Sequence, residues 1–281
     1  MPPFFFAMNL ERRTNVSKIP LYWSSTAKGQ IAVRSPSHMV EEWLRNSMSS
    51  YNHESLTRKD SYVAQIHFPG ALLEELLNWT FDALPDEILV GLDIDTTRPV
   101  NAEVEAVFAG RDNRINLFAG QGFIIGEAHL VNRGDSFSVH HLPEDWTDDM
   151  FSTERGSRAG RFTHWLHTHP NAPAIPSEAD ADAAQETDGV DLILGVEFTP
   201  EGPLTWYGEI EGERRGLGEK PRWLGRQPNR VVLGIASTGH RIHGLEMIAF
   251  HKAGLGINVI LVDDNGFPYG WESLNQAGMP S

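Results

Sequence analysis

Two histidines and an aspartate able to hold one metal ion crowd into one short stretch, HTHPNAPAIPSEAD, running from His167 to Asp180. His167 and His169 stand two apart near the end of the apolar run RFTHWLHTH. On a strand, residues at i and i+2 project to one side, so both imidazoles can reach a common point. Asp180 follows eleven residues after His169, across a proline-rich loop and just beyond Ser177, a suitable helix N-cap. One turn into that helix, its carboxylate can fold back on the histidine pair. Two histidines and a carboxylate, with bonds of about 2.0–2.2 Å, leave the fourth tetrahedral position for water, the arrangement of a hydrolytic rather than a structural centre. The 281 residues contain no cysteine, which rules out thiolate ligands and a cysteine nucleophile.

The same residues resemble the JAMM motif of the MPN-domain zinc metalloproteases, microbial isopeptidase type, which reads H-x-H-P, six or so residues, then S-x-x-D. Trp165, two residues before the first histidine, also fits the usual lead-in of that family. The resemblance implies one Zn2+ bound by His167, His169 and Asp180, with Ser177 stabilising the oxyanion of the tetrahedral intermediate. It also implies an upstream glutamate as general base, and three residues qualify. Glu87, in LPDEILVG, follows an amphipathic helix and a proline, the order with which microbial members of the family begin. Glu103, in EVEAVFAG, resembles the E-x-x-G-x-x-x-G form of that strand, with alanine for the first glycine. Glu127, in IIGEAHL, has only its spacing of 40 residues from His167. Order of elements outranks spacing, because loops lengthen at small cost, so Glu87 is the favoured base. Its 80 residues to His167 then require an insertion near 93–125, where substrate-gripping loops are expected.

The elements that must position these residues are read from periodicity. Residues 1–60 are polar and form a partly ordered N-terminal extension with a short helix at SHMVEEWLRNSM. Val63 and Ile66 suit a strand; Leu72, Leu73, Leu76, Leu77, Phe81 and Leu84 recur at helical spacing after Pro69; EILVGLDI is a buried strand. EVEAVFAG, INLFAG, GFIIGEAHLV, SFSVHHL, VDLILGVEF and PLTWYGEI read as further strands. After the basic linker RRGLGEKPRWLGRQPNR, the runs VVLGIAS and GINVILVDDNG flank HGLEMIAFHKAG, which suits strand, helix or hairpin equally. The expected organisation is a catalytic domain over 61–215 between the N-terminal extension and a C-terminal α/β extension over 216–281. By resemblance the fold is α/β: an MPN (JAB) domain, cytidine-deaminase-like, with a mixed β-sheet flanked by helices.

Net charge of −15 argues against wholesale binding of a nucleic-acid backbone, which needs a basic face, and suits a basic partner instead. No apolar run approaches the roughly 20 residues of a membrane-spanning helix. The opening MPPFFFAMNLERR lacks the basic start of a secretory signal, so the expected setting is cytoplasmic. The expected activity is zinc-dependent hydrolysis of peptide or isopeptide bonds, the partner by resemblance being a ubiquitin-like modifier or its protein conjugates. Two rival readings are an MPN scaffold or binding module without catalysis, and a zinc hydrolase acting on a small molecule or sulfur-carrier adduct. Oligomeric state is left open.

Overall fold

Side chains that alternate across strands build one continuous interior here. The computed structural model describes residues 42–134, 162–202 and 231–277 and holds eight strands. They are β1 (Gln65–Pro69), β2 (Ile88–Pro99), β3 (Phe123–Arg133), β4 (His164–Pro170), β5 (Asp191–Thr199), β6 (Gly234–Ile235), β7 (Arg241–His251) and β8 (Leu255–Val262). Their order is β5-β4-β2-β3-β1-β8-β7-β6, and β5 also pairs with β7. Seven strands therefore form a closed ring, with β6 a short appendage on β7. The pairings β1–β3, β1–β8 and β4–β5 are parallel, and the rest are antiparallel.

This closed, mixed seven-stranded barrel with few helices corrects the expected MPN-type, cytidine-deaminase-like sheet flanked by helices. The cause is the β5–β7 ladder from Asp191↔Phe250 to Thr199↔Arg241, which joins two edges that an open sheet would leave free. Strands β6 to β8 all come from residues 216–281, the stretch read from sequence as an extension.

Phe68, Val90, Ile125, Leu166, Leu192, Met247 and Leu261, one from each strand of the ring, lie in a single buried cluster. Helix α2 (Gly70–Ala83) adds Leu72, Leu73, Leu76 and Leu77 to it, the face its periodicity anticipated. Helix α1 (Glu42–Thr57) contributes Leu44, Met48 and Tyr51. The β7–β8 ladder has only the pairs Ala249↔Ile257, Phe250↔Gly256 and His251↔Leu255, after which the strands part. α1 closes that seam. Asn52 Nδ2 donates to the Leu261 carbonyl at 2.8 Å, and the Leu261 amide donates to Asn52 Oδ1 at 2.9 Å, so one side chain replaces a missing strand neighbour.

Two expected strands do not form. EVEAVFAG is occupied by helix α3 (Ala102–Phe108), because Asn101 caps it by accepting the Glu103 amide at 2.9 Å and because Val104 and Phe108, four apart, bury together against Ile124 and Ile260. INLFAG is irregular: Asn116 has a φ of 58°, and the Gln121 side chain binds the Leu117 amide and Arg114 carbonyl. HGLEMIAFHKAG resolves as β7 and its turn into β8. SFSVHHL, PLTWYGEI and the basic linker lie outside the described residues. Among the described residues, no helix is long and apolar enough to cross a membrane.

Candidate metal centre

Leu166 points into the barrel interior, so alternation sends Trp165, His167 and His169 of β4 to the outer face. There His167 pairs with Ile193 of β5, which lies in a small separate cluster with Ala174, Ala184 and Phe250. The loop after β4 and helix α4 (Glu178–Ala183) rest on this floor. Asn171 starts the loop with a φ of 52°, and anchors it: its amide donates to the Val196 carbonyl and its Oδ1 accepts the Phe198 amide, both at 2.8 Å.

Ser177 caps α4. Its Oγ accepts the Asp180 amide at 3.2 Å while its own amide donates to Asp180 Oδ2 at 2.7 Å, a reciprocal capping box. That box aims the Asp180 carboxylate back at β4. His167 Nε2 lies 3.2 Å from Asp180 Oδ1, His169 Nε2 3.5 Å from Asp180 Oδ2, and the two Nε2 atoms 3.0 Å from each other. His167 and Asp180 are 8% and 4% exposed. Among the described residues this is the one group of three such side chains whose ligand atoms all converge.

The triangle is of the right size for a cation. Tetrahedral bonds of 2.0–2.1 Å imply ligand–ligand edges of about 3.3 Å, close to the Nε2–Nε2 separation and to the distance from His167 Nε2 to Asp180 Oδ1, while His169 faces the other carboxylate oxygen. The tautomer also fits. His169 Nδ1 lies 2.8 Å from the Pro173 carbonyl, which can only accept, so the neutral ring carries its proton there and turns the Nε2 lone pair to the cluster. These ligands suit a divalent metal without singling out zinc.

Burial alone would lower the pKa of His169, but hydrogen bonds to Asp180 and Pro173, with the charges of Asp180 and Glu87, outweigh it and raise the value. Burial opposes ionisation of Asp180, yet hydrogen bonds from His167 and His169 hold its carboxyl well below the usual carboxylate range. Behind α4, burial pushes the Asp191 carboxyl up to about 7, despite a hydrogen bond from Thr187, and the charge of Asp180 adds to the rise.

Glu87 stands immediately before β2. The β2–β4 ladder ends at the pair Leu89↔His167, and the charge of Glu87, two residues before Leu89, acts on His169. Glu87 is 9% exposed. Glu103 is instead an exposed residue of α3, and Glu127 is exposed on β3, opposite Asp93 and 3.7 Å from His129. Neither joins the cluster. Sequence reading missed Thr168, the Pro173 carbonyl and Glu246, whose amide-accepting oxygens organise the site. Thr168 lies within the motif, but Glu246 is on β7 and carries no local signal.

No protein-family model matches the chain, and no curated protein matches it. Among solved structures, it is similar to the solution structure of protein DSY2949 from Desulfitobacterium hafniense, at 17% identity over 71% of this chain and 94% of that one, with a TM-score of 0.35.

Proposed function

We propose that this protein is a zinc-dependent hydrolase of isopeptide bonds that removes ubiquitin-like modifiers from proteins, with the cytoplasm as its setting. The observation that carries the proposal is the convergence of His167 Nε2, His169 Nε2 and the Asp180 carboxylate at mutual distances of 3.0–3.5 Å, with the charge of Glu87 acting on His169. A zinc ion bound there would supply the Lewis acidity that polarises a scissile carbonyl and lowers the pKa of a neighbouring water.

The chain's own residues do the rest. Glu87 takes a proton from the attacking water as the new C–O bond forms, and gives it to the lysine nitrogen as the C–N bond breaks, leaving a carboxylic acid and an amine. The Ser177 hydroxyl accepts the Asp180 amide through its oxygen, so its proton is available to the developing oxyanion. The net charge of −15 suits a basic segment of the conjugated protein.

The test is metal analysis of the purified chain together with hydrolysis of a modifier linked to a lysine side chain. About one zinc per chain with cleavage supports the reading. A chain with neither is a binding module, and zinc without cleavage directs attention to smaller substrates.

A further inference from the structure

We infer that Glu246 is a positioning residue for the metal centre, acting on His169 through a single peptide group. The inference rests on the metal-binding reading above and extends it to a strand from the far end of the chain.

Three strands bring the parts into one row. His169 of β4 pairs with Gly195 of β5, and Gly195 pairs with Glu246 of β7. Leu245 and Met247 belong to the interior cluster, so Glu246 between them projects to the outer face, the face of His169. At Gly195 a Cβ would stand 3.1 Å from the Ala172 carbonyl oxygen and 3.2 Å from the Ala174 amide nitrogen. The loop therefore lies directly on the gap that this glycine leaves.

Over that gap, Glu246 Oε2 accepts the Ala174 amide at 3.3 Å, and the Pro173 carbonyl accepts His169 Nδ1–H at 2.8 Å. The Ala174 N–H and the Pro173 C=O are the two ends of one planar peptide group. A carboxylate at the N–H end polarises the carbonyl at the other end, making it a better acceptor for the imidazole proton. Glu246 thus fixes His169 with Nδ1 protonated and strengthens its Nε2 lone pair. This is a carboxylate–peptide–histidine chain in place of the usual direct carboxylate partner of a metal-bound histidine.

Glu246→Ala and Glu246→Gln in the full chain test this with two readouts. One is Zn2+ affinity by competition with a chelator. The other is the ¹⁵N NMR signature of the His169 ring in metal-free protein, at a pH where the ring is neutral. Glu246→Ala should weaken zinc binding about 10- to 100-fold, the usual scale for an outer partner of a ligand, and should mix the two tautomers. Glu246→Gln, which keeps an acceptor oxygen, should stay within about threefold of the parent and retain the Nδ1–H form. An alanine variant that matches the parent in either readout overturns the inference. So does a glutamine variant as impaired as the alanine one. If the parent itself binds no zinc, the metal reading fails, and the His169 tautomer alone then decides the role of Glu246.

Discussion

The hydroxyl oxygen of Thr168, wholly buried between His167 and His169 in the chain, accepts the backbone amide of Ile88 at 2.9 Å. Ile88 follows Glu87 directly, so one bond joins the middle of the histidine motif to the residue next to the proposed base, 80 positions away in sequence. Thr168→Val keeps shape but leaves that amide unsatisfied, and should cost about 1–3 kcal/mol of stability. It should also lower cleavage of an isopeptide-linked substrate more than it lowers zinc affinity, because Glu87 moves while the ligands stay. Thr168→Ser should restore both. Denaturant unfolding, chelator competition and cleavage rates, compared across the two variants, check this.

His167→Ala and Asp180→Ala each remove one of the three proposed ligands, and zinc occupancy of the purified variants should fall well below that of the parent. Metal analysis after exhaustive dialysis is the measurement. Full retention in both would sink the metal assignment.

The three glutamates separate cleanly. Glu87→Gln preserves size but removes the basic lone pair, so zinc should remain bound while cleavage drops by about 10²–10⁴-fold, the range for loss of general-base catalysis. Glu103→Gln, on the exposed face of α3, and Glu127→Gln, exposed beside His129, should stay within a few-fold of the parent. An active Glu87 variant would remove the proposed proton carrier.

What could be read in advance follows the range of the interactions. His167, His169, Ser177 and Asp180 lie on one strand end, the loop after it and one helical turn, so local spacing sufficed to put them together. The helix and strand on either side of Glu87 were legible because helix, proline and strand follow one another in an ordered local pattern. Barrel closure was not, since the β5–β7 and β1–β8 ladders join segments far apart, and nothing in either strand names its neighbour. α3 was misread because Val104, Val107 and Phe108 favour strands by residue type, whereas the Asn101 cap and the burial of Val104 with Phe108 select a helix.

Acid should destabilise the fold through His67. This residue of β1 is 1% exposed, and among the described residues neither ring nitrogen has a hydrogen-bond partner. Burial lowers its pKa from 6.5 to about 4. Above the unfolded value the ring is neutral in both states and contributes no pH dependence. As pH falls below it, the unfolded chain takes up a proton that the folded chain resists, so stability declines until the folded value is reached. The loss attributable to this group is about 2 kcal/mol at pH 5. His67→Leu should therefore lose that much less stability than the parent between pH 7.5 and pH 5, as measured by denaturant titration. His164, whose burial lowers its pKa to about 3, accounts for part of the remainder.

The seam where Asn52 holds both backbone groups of Leu261 spans 209 residues. During synthesis the histidine motif leaves the ribosome before β7 and β8 exist, so β5 has no outer neighbour and the Pro173–Ala174 peptide has no Glu246 beneath it. A nascent chain then carries the ligands of the centre on a wall that is not yet closed. Such long-range closure is slow to form. Competence to hold a metal tightly should therefore arrive late, with β7 and β8.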